Sequence, residues 1–437
     1  MPENQPLLVR NARLIDPASG TDATRDVALA GGTVAEIDSG LSPAPAARVI
    51  EAEGRILAPG LIDPHVHLRE PGQEHKETIQ SGSRAAANGG FTAVCCMPNT
   101  SPAIDSPEII HSIHDRAASA DCRVFPIGAA TVGRKGERLT ETNLLARAGA
   151  VGFSDDGDVI ASAGMMAAAL TAIAPTGLAF MQHCQEPTMT VGSVMHAGDV
   201  STRLGLKGWP RSAEEIIVSR DIRIVQDTGC RYHAQHLSSA GSIDLIRRAR
   251  AAGLPVTGEA TPHHLLITHN ECAAPSGRGY TTLAKVNPPL REQADVAALR
   301  EAVAEGVITV LGTDHAPHSA EEKSLPFEEA PFGMIGLDFA LPLYAEALVH
   351  SGAINWPRLI ALMTTEPAAL CNLDRHGLGS LTQGGPADCV LIDPDLAWTI
   401  TPDELAGMSI NTPFLGRQVT GRAVLTIAAG RVTSDRL

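Results

Sequence analysis

Long apolar runs are absent from this 437-residue sequence. No apolar stretch approaches the ~20 residues that a membrane-spanning helix needs, and the N-terminal stretch MPENQPLLVRNARLIDP has no apolar signal core. Basic residues are in deficit, with 34 Lys and Arg against 49 Asp and Glu and a net charge of -15. This balance argues against nucleic acid and anionic membranes as partners, because both require basic patches. We therefore expect a soluble, cytoplasmic protein, whose charge still permits small anionic substrates.

Cysteine pairs with the spacing of metal or redox sites are also absent. The sequence has eight cysteines but no Cys-x-x-Cys motif, and several stand within apolar runs, where cysteine behaves as a small hydrophobic residue. We predict reduced thiols, as in a cytosolic protein. The eight are Cys95, Cys96, Cys122, Cys184, Cys230, Cys272, Cys371 and Cys389.

The two ends of the chain share one sequence pattern, in which short strand-like stretches are separated by glycine-containing turns. Residues 1–55 contain short strand-like stretches with a tight turn at Ala30-Gly31-Gly32 and no helical period of useful length. Residues 376–437 repeat this pattern after a turn at Gly384-Gly385-Pro386. We predict one small β-sandwich that is assembled from both termini.

Residues 56–375 have a different period, in which apolar strand-like runs alternate with helical segments. The predicted strands are 56–65, 91–97, 122–129, 149–154, 178–182, 230–235, 255–259 and 308–313. The predicted helices include 77–88, 107–118, 165–173, 213–227, 242–252 and 292–304. This α/β alternation predicts a TIM-like (β/α)8 barrel. A doubly wound open sheet is the alternative, but the loop after the first strand lacks Gly-x-Gly-x-x-Gly.

The first barrel strand leads into His65, His67 and Arg69, at a spacing of two residues. Residues two apart in an extended backbone point to the same side, so the three side chains can face one cavity. Two imidazoles at this spacing suit a divalent metal, and the guanidinium suits a carboxylate or a phosphate.

Polar residues follow other predicted strands in the same way. Function collects at the carboxyl ends of barrel strands, so four histidines and two aspartates there predict a binuclear metal site. The four histidines are His65 and His67 after strand one, His183 after strand five and His236 after strand six; the two aspartates are Asp314 after strand eight and one of the adjacent Asp155 and Asp156 after strand four. Asn99 after strand two and His318 after strand eight are further polar residues at the rim.

Several motifs around these residues resemble those of the amidohydrolase superfamily, and more closely those of the long, bacterial type of dihydroorotase. The resemblance covers almost the whole chain in the family's order, and it implies a distorted barrel with a composite β-sandwich. The matching stretches are PGLIDPHVHLREPG (59–72), GGFTAVCCMPNT (89–100), GFSDDG (152–157), QHC (182–184), HAQHLS (233–238), KVNPPLR (285–291), GTDHAPH (312–318) and NTPFLG (411–416).

The resemblance also implies two zinc ions per subunit. It assigns His65, His67 and Asp314 to one zinc, His183 and His236 to the other, and Asp156 to the position between them. Many members of the superfamily bridge their metals with a carboxylated lysine, but none of the five lysines stands near the end of strand four. Alternation along a strand lets only one of the adjacent Asp155 and Asp156 point inward, and the spacing to His183 in the resembling family favours Asp156 as the carboxylate that takes that place.

The activity that the resemblance implies is the reversible cyclisation of N-carbamoyl-L-aspartate to (S)-dihydroorotate and water, in de novo pyrimidine biosynthesis. A hydroxide shared by the two zincs would attack the ring carbonyl, with Asp314 as general base and then general acid. Arg69, Asn99 and His318 would bind the free carboxylate of the substrate, and Asn287 would contact its ring.

Two other functions are compatible with the same barrel. A hydantoinase or allantoinase would share the metals, but such a substrate has no use for Arg69 and Asn99. A dihydroorotase-like scaffold of aspartate carbamoyltransferase would have lost metal ligands, whereas every expected ligand is present here. The sequence leaves open a homodimer, an association with the carbamoyltransferase, and whether residues 319–335 form a lid or a solvated loop.

Overall fold

The computed structural model describes residues 5–274 and 279–437. The strands within these ranges are β1 (Leu7–Asp16), β2 (Thr21–Ala30), β3 (Thr33–Asp38), β4 (Arg48–Glu51), β5 (Ile56–Pro59), β6 (Leu61–Val66), β7 (Phe91–Cys96), β8 (Arg123–Pro126), β9 (Gly128–Ala129), β10 (Phe153–Ser154), β11 (Phe180–Gln182), β12 (Met195–His196), β13 (Gly208–Trp209), β14 (Tyr232–Ala234), β15 (Val256–Ala260), β16 (Val310–Leu311), β17 (Cys389–Thr399), β18 (Gln418–Ala428) and β19 (Arg431–Asp435).

The α-helices lie mostly between the strands of the middle region. They are α1 (Ile79–Asn88), α2 (Pro107–Ala117), α3 (Thr142–Ala148), α4 (Ala163–Ile173), α5 (Pro187–Thr190), α6 (Asp199–Leu204), α7 (Ser212–Thr228), α8 (Ala240–Ala251), α9 (Pro262–Leu266), α10 (Gln293–Ala304), α11 (Ala320–Lys323), α12 (Ala340–Tyr344), α13 (Trp356–Met363) and α14 (Thr365–Leu370). Each of the six helices predicted above begins and ends within two residues of its observed bounds.

Parallel strands form the predicted barrel. One sheet has the order β16-β15-β14-β11-β10-β9 and another the order β6-β7-β8, with parallel pairing throughout. The chain continues from β8 to β9 through Ile127, whose N–H donates to the Cys96 carbonyl. On the other side, a parallel bridge joins Val66 to His315. The ring of strands is therefore closed.

The sequences of these strands explain their position. β6 and β7 are buried along their whole length, as expected for parallel strands that are covered on both faces. One apolar cluster fills the barrel interior with side chains such as Ile62, Cys95 and Met181. A second cluster packs the outside of the strands against the helices. A packed interior leaves the rim of the barrel as the place for a site.

Both termini contribute to a separate eight-stranded sheet, with the order β19-β18-β17-β5-β1-β2-β3 and β4 paired to β1. The β2–β3 and β18–β19 turns touch, since a Cβ on Gly430 would overlap the backbone of Gly32. Side chains from both ends of the chain share one core in this sheet, among them Val27, Leu391 and Val424. The composite sandwich predicted from the sequence is confirmed in this form.

The prediction of a single strand over residues 56–65 was wrong. Ile56–Pro59 pairs with β1 and β17 in the terminal sheet, while Leu61–Val66 pairs with β7 in the barrel. The chain crosses between the sheets at Gly60, where a Cβ would overlap the side chain of Thr92. We therefore move the proposed boundary between the N-terminal part (1–55) and the barrel (56–375) to Gly60, and we keep the C-terminal part (376–437) as a proposal.

The structure bears on the cysteines and on membrane-spanning helices. All eight cysteines are buried free thiols. In the ranges that the structure describes, no helix combines the length and the apolar character needed to cross a membrane.

Candidate metal centre and substrate pocket

Asp156 lies at the centre of the barrel rim, directly after β10. Its Oδ1 atom is 3.5 Å from His65 Nε2, 3.6 Å from His183 Nδ1 and 3.7 Å from His236 Nε2. The oxygen is buried and has no hydrogen-bond partner among the described residues. Burial raises the pKa of Asp156, but the facing histidines lower it well below the usual range. A buried, ionised oxygen is therefore surrounded by imidazole nitrogens.

His67 and Asp314 complete the other side of this cluster. His67 Nε2 lies 2.9 Å from Asp314 Oδ1 and 3.5 Å from Asp156 Oδ2. The opposite ring nitrogen, Nδ1, lies 2.8 Å from Asn99 Oδ1. Because that amide oxygen accepts, Nδ1 carries the proton and Nε2 turns a lone pair toward the two carboxylates.

The same reasoning applies to His65 and His183. His65 Nδ1 lies 2.9 Å from a carboxylate oxygen of Glu259, and His183 Nε2 lies 3.0 Å from Gln185 Oε1. Each partner is an acceptor, so His65 Nε2 and His183 Nδ1 present lone pairs to Asp156. In their neutral forms these rings would bring several acceptor atoms to one space, and a divalent cation is the species that such a set of nitrogen and oxygen atoms binds.

The spacing of these atoms agrees with a tetrahedral metal site. Ligand atoms about 2.1 Å from a tetrahedral zinc lie ~3.4 Å apart, close to the 3.5–3.7 Å separations around Asp156 Oδ1. Two groups have ligand atoms within 4.8 Å of one another: His65, Asp156 and His236, and His65, His67 and Asp314. The imidazole and carboxylate donors therefore fit a divalent metal centre.

Glu259 supports the cluster from inside the barrel, on β15. Its carboxylate accepts the His236 backbone N–H at 3.0 Å, in addition to facing His65 Nδ1. His233 Nε2 lies 3.4 Å away. Burial raises the pKa of Glu259, but the charge of His65 lowers it further, so the net shift is downward. The space for this carboxylate exists because residue 312 is glycine, where a Cβ would lie 2.7 Å from Glu259 Oε2.

Arg69 is a buried cation beside the metal cluster. Its Nε donates to the Pro317 carbonyl at 3.1 Å, and Nη2 lies 3.3 Å from His318 Nε2. In residues 5–274 and 279–437, no carboxylate lies within ion-pair distance of this guanidinium. Burial lowers the pKa of Arg69 to about 10. A buried guanidinium without an acidic partner is costly, so the site is suited to an anionic ligand.

A cavity of about 340 Å³ joins Arg69 to the metal cluster, and Asn99, Asn287, His318 and Phe332 also line it. Asn287 Nδ2 donates to Gln185 Oε1 at 2.8 Å, while Asn287 Oδ1 is buried without a partner in the described part of the chain. The structure therefore brings all ten predicted site residues to one cavity or its wall. Only His65 lies behind the cavity surface, in the metal cluster.

Asp155 points away from the cluster. Its carboxylate accepts the backbone N–H groups of Ala130 and Thr131 at 2.9 and 3.0 Å, and also the Thr131 hydroxyl. This side chain secures the loop after β9. Of the two adjacent aspartates, only Asp156 faces the histidines.

Three residues of the site have left-handed backbone conformations that side chains rarely adopt. Their φ angles are 63° for Arg69, 30° for His236 and 49° for Asp314. Such conformations cost of order 1–3 kcal/mol each and cluster at functional sites. The strained backbone conformations at the rim therefore coincide with the candidate functional site.

Sequence reasoning missed Glu259 and Asn411. Asn411, in the NTPFLG motif, accepts the His318 backbone N–H at 3.0 Å and donates to the Ala316 and Gly333 carbonyls. Glu259 is the last polar residue of a predicted strand, so the rule that found the histidines could have found it. Asn411 begins the NTPFLG stretch that forms part of the resemblance, but the sequence assigned it no role because its partners are distant along the chain.

Comparisons with known proteins agree with this geometry. A family model described as dihydro-orotase-like matches residues 54–242. The dihydroorotase of Pelotomaculum thermopropionicum is 45% identical over 432 residues, which cover 99% of each chain. The dihydroorotase of Pelobacter propionicus is 43% identical over 431 residues, which cover 98% of this chain and 100% of that protein.

Solved structures of hydantoinases have the same fold. The L-hydantoinase of Arthrobacter aurescens superposes with a TM-score of 0.85 at 25% identity, covering 98% of this chain and 96% of that chain. The D-hydantoinase of a Thermus species superposes with a TM-score of 0.83 at 25% identity, covering 98% and 95%. The predicted barrel class is thereby confirmed over nearly the whole length of the chain.

Proposed function

Because this chain belongs to the dihydroorotase family, we propose that its rim cavity carries out the reversible cyclisation of N-carbamoyl-L-aspartate to (S)-dihydroorotate. One observation favours this substrate above the others: Arg69 is a buried guanidinium without a carboxylate partner in the described part of the chain. It lies beside a cluster that fits a metal centre. Dihydroorotate offers both groups that such a cavity needs, a free carboxylate and a cyclic amide.

The metal in this proposal is zinc, with two ions per subunit. His65, His67 and Asp314 would hold one ion, and His183 and His236 the other, with the Asp156 carboxylate between them. Bound zinc supplies Lewis-acid polarisation of a carbonyl and lowers the pKa of water toward neutrality. Glu259 would keep His65 in the tautomer that presents Nε2 to the ion.

The substrate carboxylate would bind between Arg69, Asn99 and His318. Asn99 Oδ1 already faces His67, so its Nδ2 group remains as a donor. A Cβ at residue 157 would lie 3.1 Å from Asn99 Nδ2 and would crowd it, so a glycine there leaves this donor accessible. Asn287 Oδ1 is free to accept a ring N–H. Two parallel N–H donors of Arg69 would fix the plane of the carboxylate.

Proton transfer is assigned to Asp314. In the hydrolytic direction it accepts a proton from the attacking water and then donates it to the departing ring nitrogen as the ring C–N bond breaks. Synthesis runs the same steps in reverse. His67 Nε2 lies 2.9 Å from Asp314 Oδ1, and the same zinc would hold both side chains.

The test compares three cyclic substrates on zinc-loaded enzyme: dihydroorotate, hydantoin and allantoin. We expect turnover of dihydroorotate, and a loss of roughly tenfold to a hundredfold in kcat/KM for Arg69→Met, since a hydrogen bond to a charged group contributes ~1.5–3 kcal/mol. Zinc content should stay unchanged. Arg248→Met, at an arginine whose side chain is 73% exposed, is the control. Unchanged kinetics, or better activity on hydantoin, would favour a hydantoinase.

The scaffold alternative is tested by the same assay, because a scaffold that has lost catalysis would turn over none of the three substrates. We also include in the proposal a cytoplasmic location, a homodimer and an association with aspartate carbamoyltransferase, which rest on the family resemblance. Size-exclusion chromatography with and without the carbamoyltransferase tests the last two.

A further inference from the structure

Residues 319–335 form one wall of the substrate cavity, through Pro331, Phe332 and Gly333. Part of the segment is exposed, with Ser324 to Pro326 and Glu328-Glu329 on the surface, and part of it packs against the barrel. Phe327, Ala330 and Lys323 are buried, although Leu325 is exposed. A segment with little regular structure is therefore held against the barrel, and two lysines account for how it is held.

Lys285 fastens the middle of this wall. Its Nζ donates to the carbonyls of Phe327 and Ala330, both at 2.5 Å, and to that of Glu328 at 3.3 Å. It also lies 4.5 Å from the centre of the Phe332 ring. An ammonium has three N–H donors, so the backbone carbonyls of the wall satisfy all of them.

Lys323 fastens the wall from the opposite end. Its Nζ donates to the carbonyls of Pro331 at 2.9 Å and Gly333 at 3.0 Å, and lies 3.4 Å from that of Lys285. The Gly333 N–H in turn donates to the Lys285 carbonyl at 2.9 Å. The two lysines thus form one hydrogen-bonded unit with the residues that line the cavity.

This arrangement is expensive for the folded protein. Burial lowers the pKa of Lys285 to about 8 and that of Lys323 to about 7, and the charge of Lys285 contributes to the second shift. Within the described residues, neither ammonium has a carboxylate at ion-pair distance. An apolar side chain at either position would avoid this cost but would leave the buried carbonyls of the wall without donors. The two amines are therefore tied to the position of the wall.

The wall in turn holds the ring of His318. His318 Nε2 lies 2.8 Å from the Phe332 carbonyl oxygen and 3.3 Å from Arg69 Nη2. The carbonyl is the closer partner and can only accept, which favours a proton on Nε2. On the other side, Nδ1 lies 3.5 Å from both Lys76 Nζ and Glu322 Oε2. Gly333 packs so closely that a Cβ would lie 3.2 Å from His318 Nε2. The orientation and tautomer of His318 therefore depend on where the wall sits.

We propose that Lys285 and Lys323 are positioning residues for substrate binding: they anchor the 319–335 wall so that the Phe332 carbonyl sets the His318 ring beside Arg69. The inference rests on the proposed function, because His318 and Arg69 are there assigned to the substrate carboxylate. Neither lysine touches the substrate or the metal ligands. Their effect should reach catalysis only through His318.

A double-mutant cycle tests this route. Lys323→Met removes the charge and the donors at similar length, and we expect KM for dihydroorotate to rise roughly tenfold, the scale of a lost hydrogen bond to a charged group, with kcat and zinc content near wild type. In a His318→Ala background, Lys323→Met should raise KM by less than about twofold. The effects of two residues on KM do not add when one acts through the other. Lys323→Arg should restore most of the affinity. Lys285→Met should behave like Lys323→Met.

The control is Lys207→Met, at a lysine that also donates to a loop carbonyl, that of Val191, but away from the cavity. It should leave KM unchanged. If the lysines have only a structural role, Lys323→Met should lower kcat and zinc content together, and its full effect on KM should persist in the His318→Ala background. That result would overturn the proposal. Should Lys323→Met not fold, Lys323→Gln enters the cycle in its place.

Limited proteolysis separates this inference from the proposed function. If the lysines anchor the wall, cleavage between residues 324 and 330 should be faster in Lys285→Met and Lys323→Met than in the wild type or Lys207→Met. Equal cleavage rates would refute the anchoring even in an active enzyme. If both lysine variants are cleaved faster but the wild-type enzyme does not hydrolyse dihydroorotate, the anchoring stands and the substrate assignment is overturned.

Discussion

Glu259 is the residue on which the structure makes its most specific prediction about the metal centre. Its carboxylate contacts His65 Nδ1 and the His236 backbone N–H, at 2.9 and 3.0 Å, and so reaches histidines assigned to both metals. Glu259→Gln keeps an oxygen that can accept from His65 but removes the negative charge. The replaced amide group also presents N–H donors toward His233, whose Nε2 lies 3.4 Å from the present carboxylate.

The expected loss is in metal affinity. A carboxylate behind a metal-binding histidine raises the basicity of the ring, and its removal typically weakens metal binding by ~10–100-fold, or about 1.4–2.7 kcal/mol. The upper half of that range is expected here, because the side chain is fully buried and its charge is poorly screened. At saturating zinc, turnover should recover substantially, since His65 keeps an acceptor and hence its orientation.

Competition with a zinc chelator measures the affinity, and activity is followed as zinc is added back. Asp338→Asn is the matched control: this carboxylate is also buried, but it accepts from Asn88 Nδ2 and the Ala406 N–H, away from the cluster. It should lower the thermal midpoint and leave zinc affinity unchanged. If Glu259→Gln holds zinc as tightly as the wild type, the carboxylate does not tune His65 and the reasoning fails.

Three further predictions concern the chemistry itself. Asp314→Asn should lower kcat by at least ~10²-fold with zinc retained, because an amide cannot act as a general base at neutral pH; a variant with full metal and near-normal turnover would place the base elsewhere. Asp156→Ala should lose most of its metal and activity, whereas Asp155→Ala should lose stability and keep its zinc. Wild-type enzyme stripped of metal should regain full activity when zinc is added in carbon-dioxide-free buffer. A need for bicarbonate would contradict the bridging role of Asp156. Ring closure consumes one proton, so the equilibrium ratio of dihydroorotate to N-carbamoyl-L-aspartate should fall about tenfold per pH unit as the pH rises; a constant ratio would mean a different reaction.

Much of the metal cluster could be predicted from the sequence because barrel geometry makes local patterns sufficient. Each of His65, Asp156, His183 and His236 stands within two residues of the carboxyl end of its own strand. Closing the strands into a ring brings all such ends to one rim. Placing the residues together therefore required only the strand order, and not the details of packing.

The residues that hold the site residues in place could not be predicted in this way, because their partners are distant in sequence. Lys285 and Lys323 donate to backbone carbonyls, which carry no sequence signature, so no pattern could pair them with residues 327–333. The break in the first predicted strand at Gly60 was hidden for a similar reason. Ile56–Pro59 and Leu61–Val66 are both buried throughout and only one residue apart, and their different pairing partners, β17 and β7, distinguish them.

Asn411 shows how far this dependence on distant contacts reaches. The residue belongs to the C-terminal part of the chain, yet its side chain bonds to the backbone of both His318 and Gly333, on the two faces of the proposed carboxylate site. The loop that carries it follows β17, a strand of the sheet that the two termini build together. Placement of His318 thus depends on a loop that the terminal sheet anchors. The composite sheet is therefore part of what makes the barrel rim competent to recognise a carboxylate, and it is not an independent appendage.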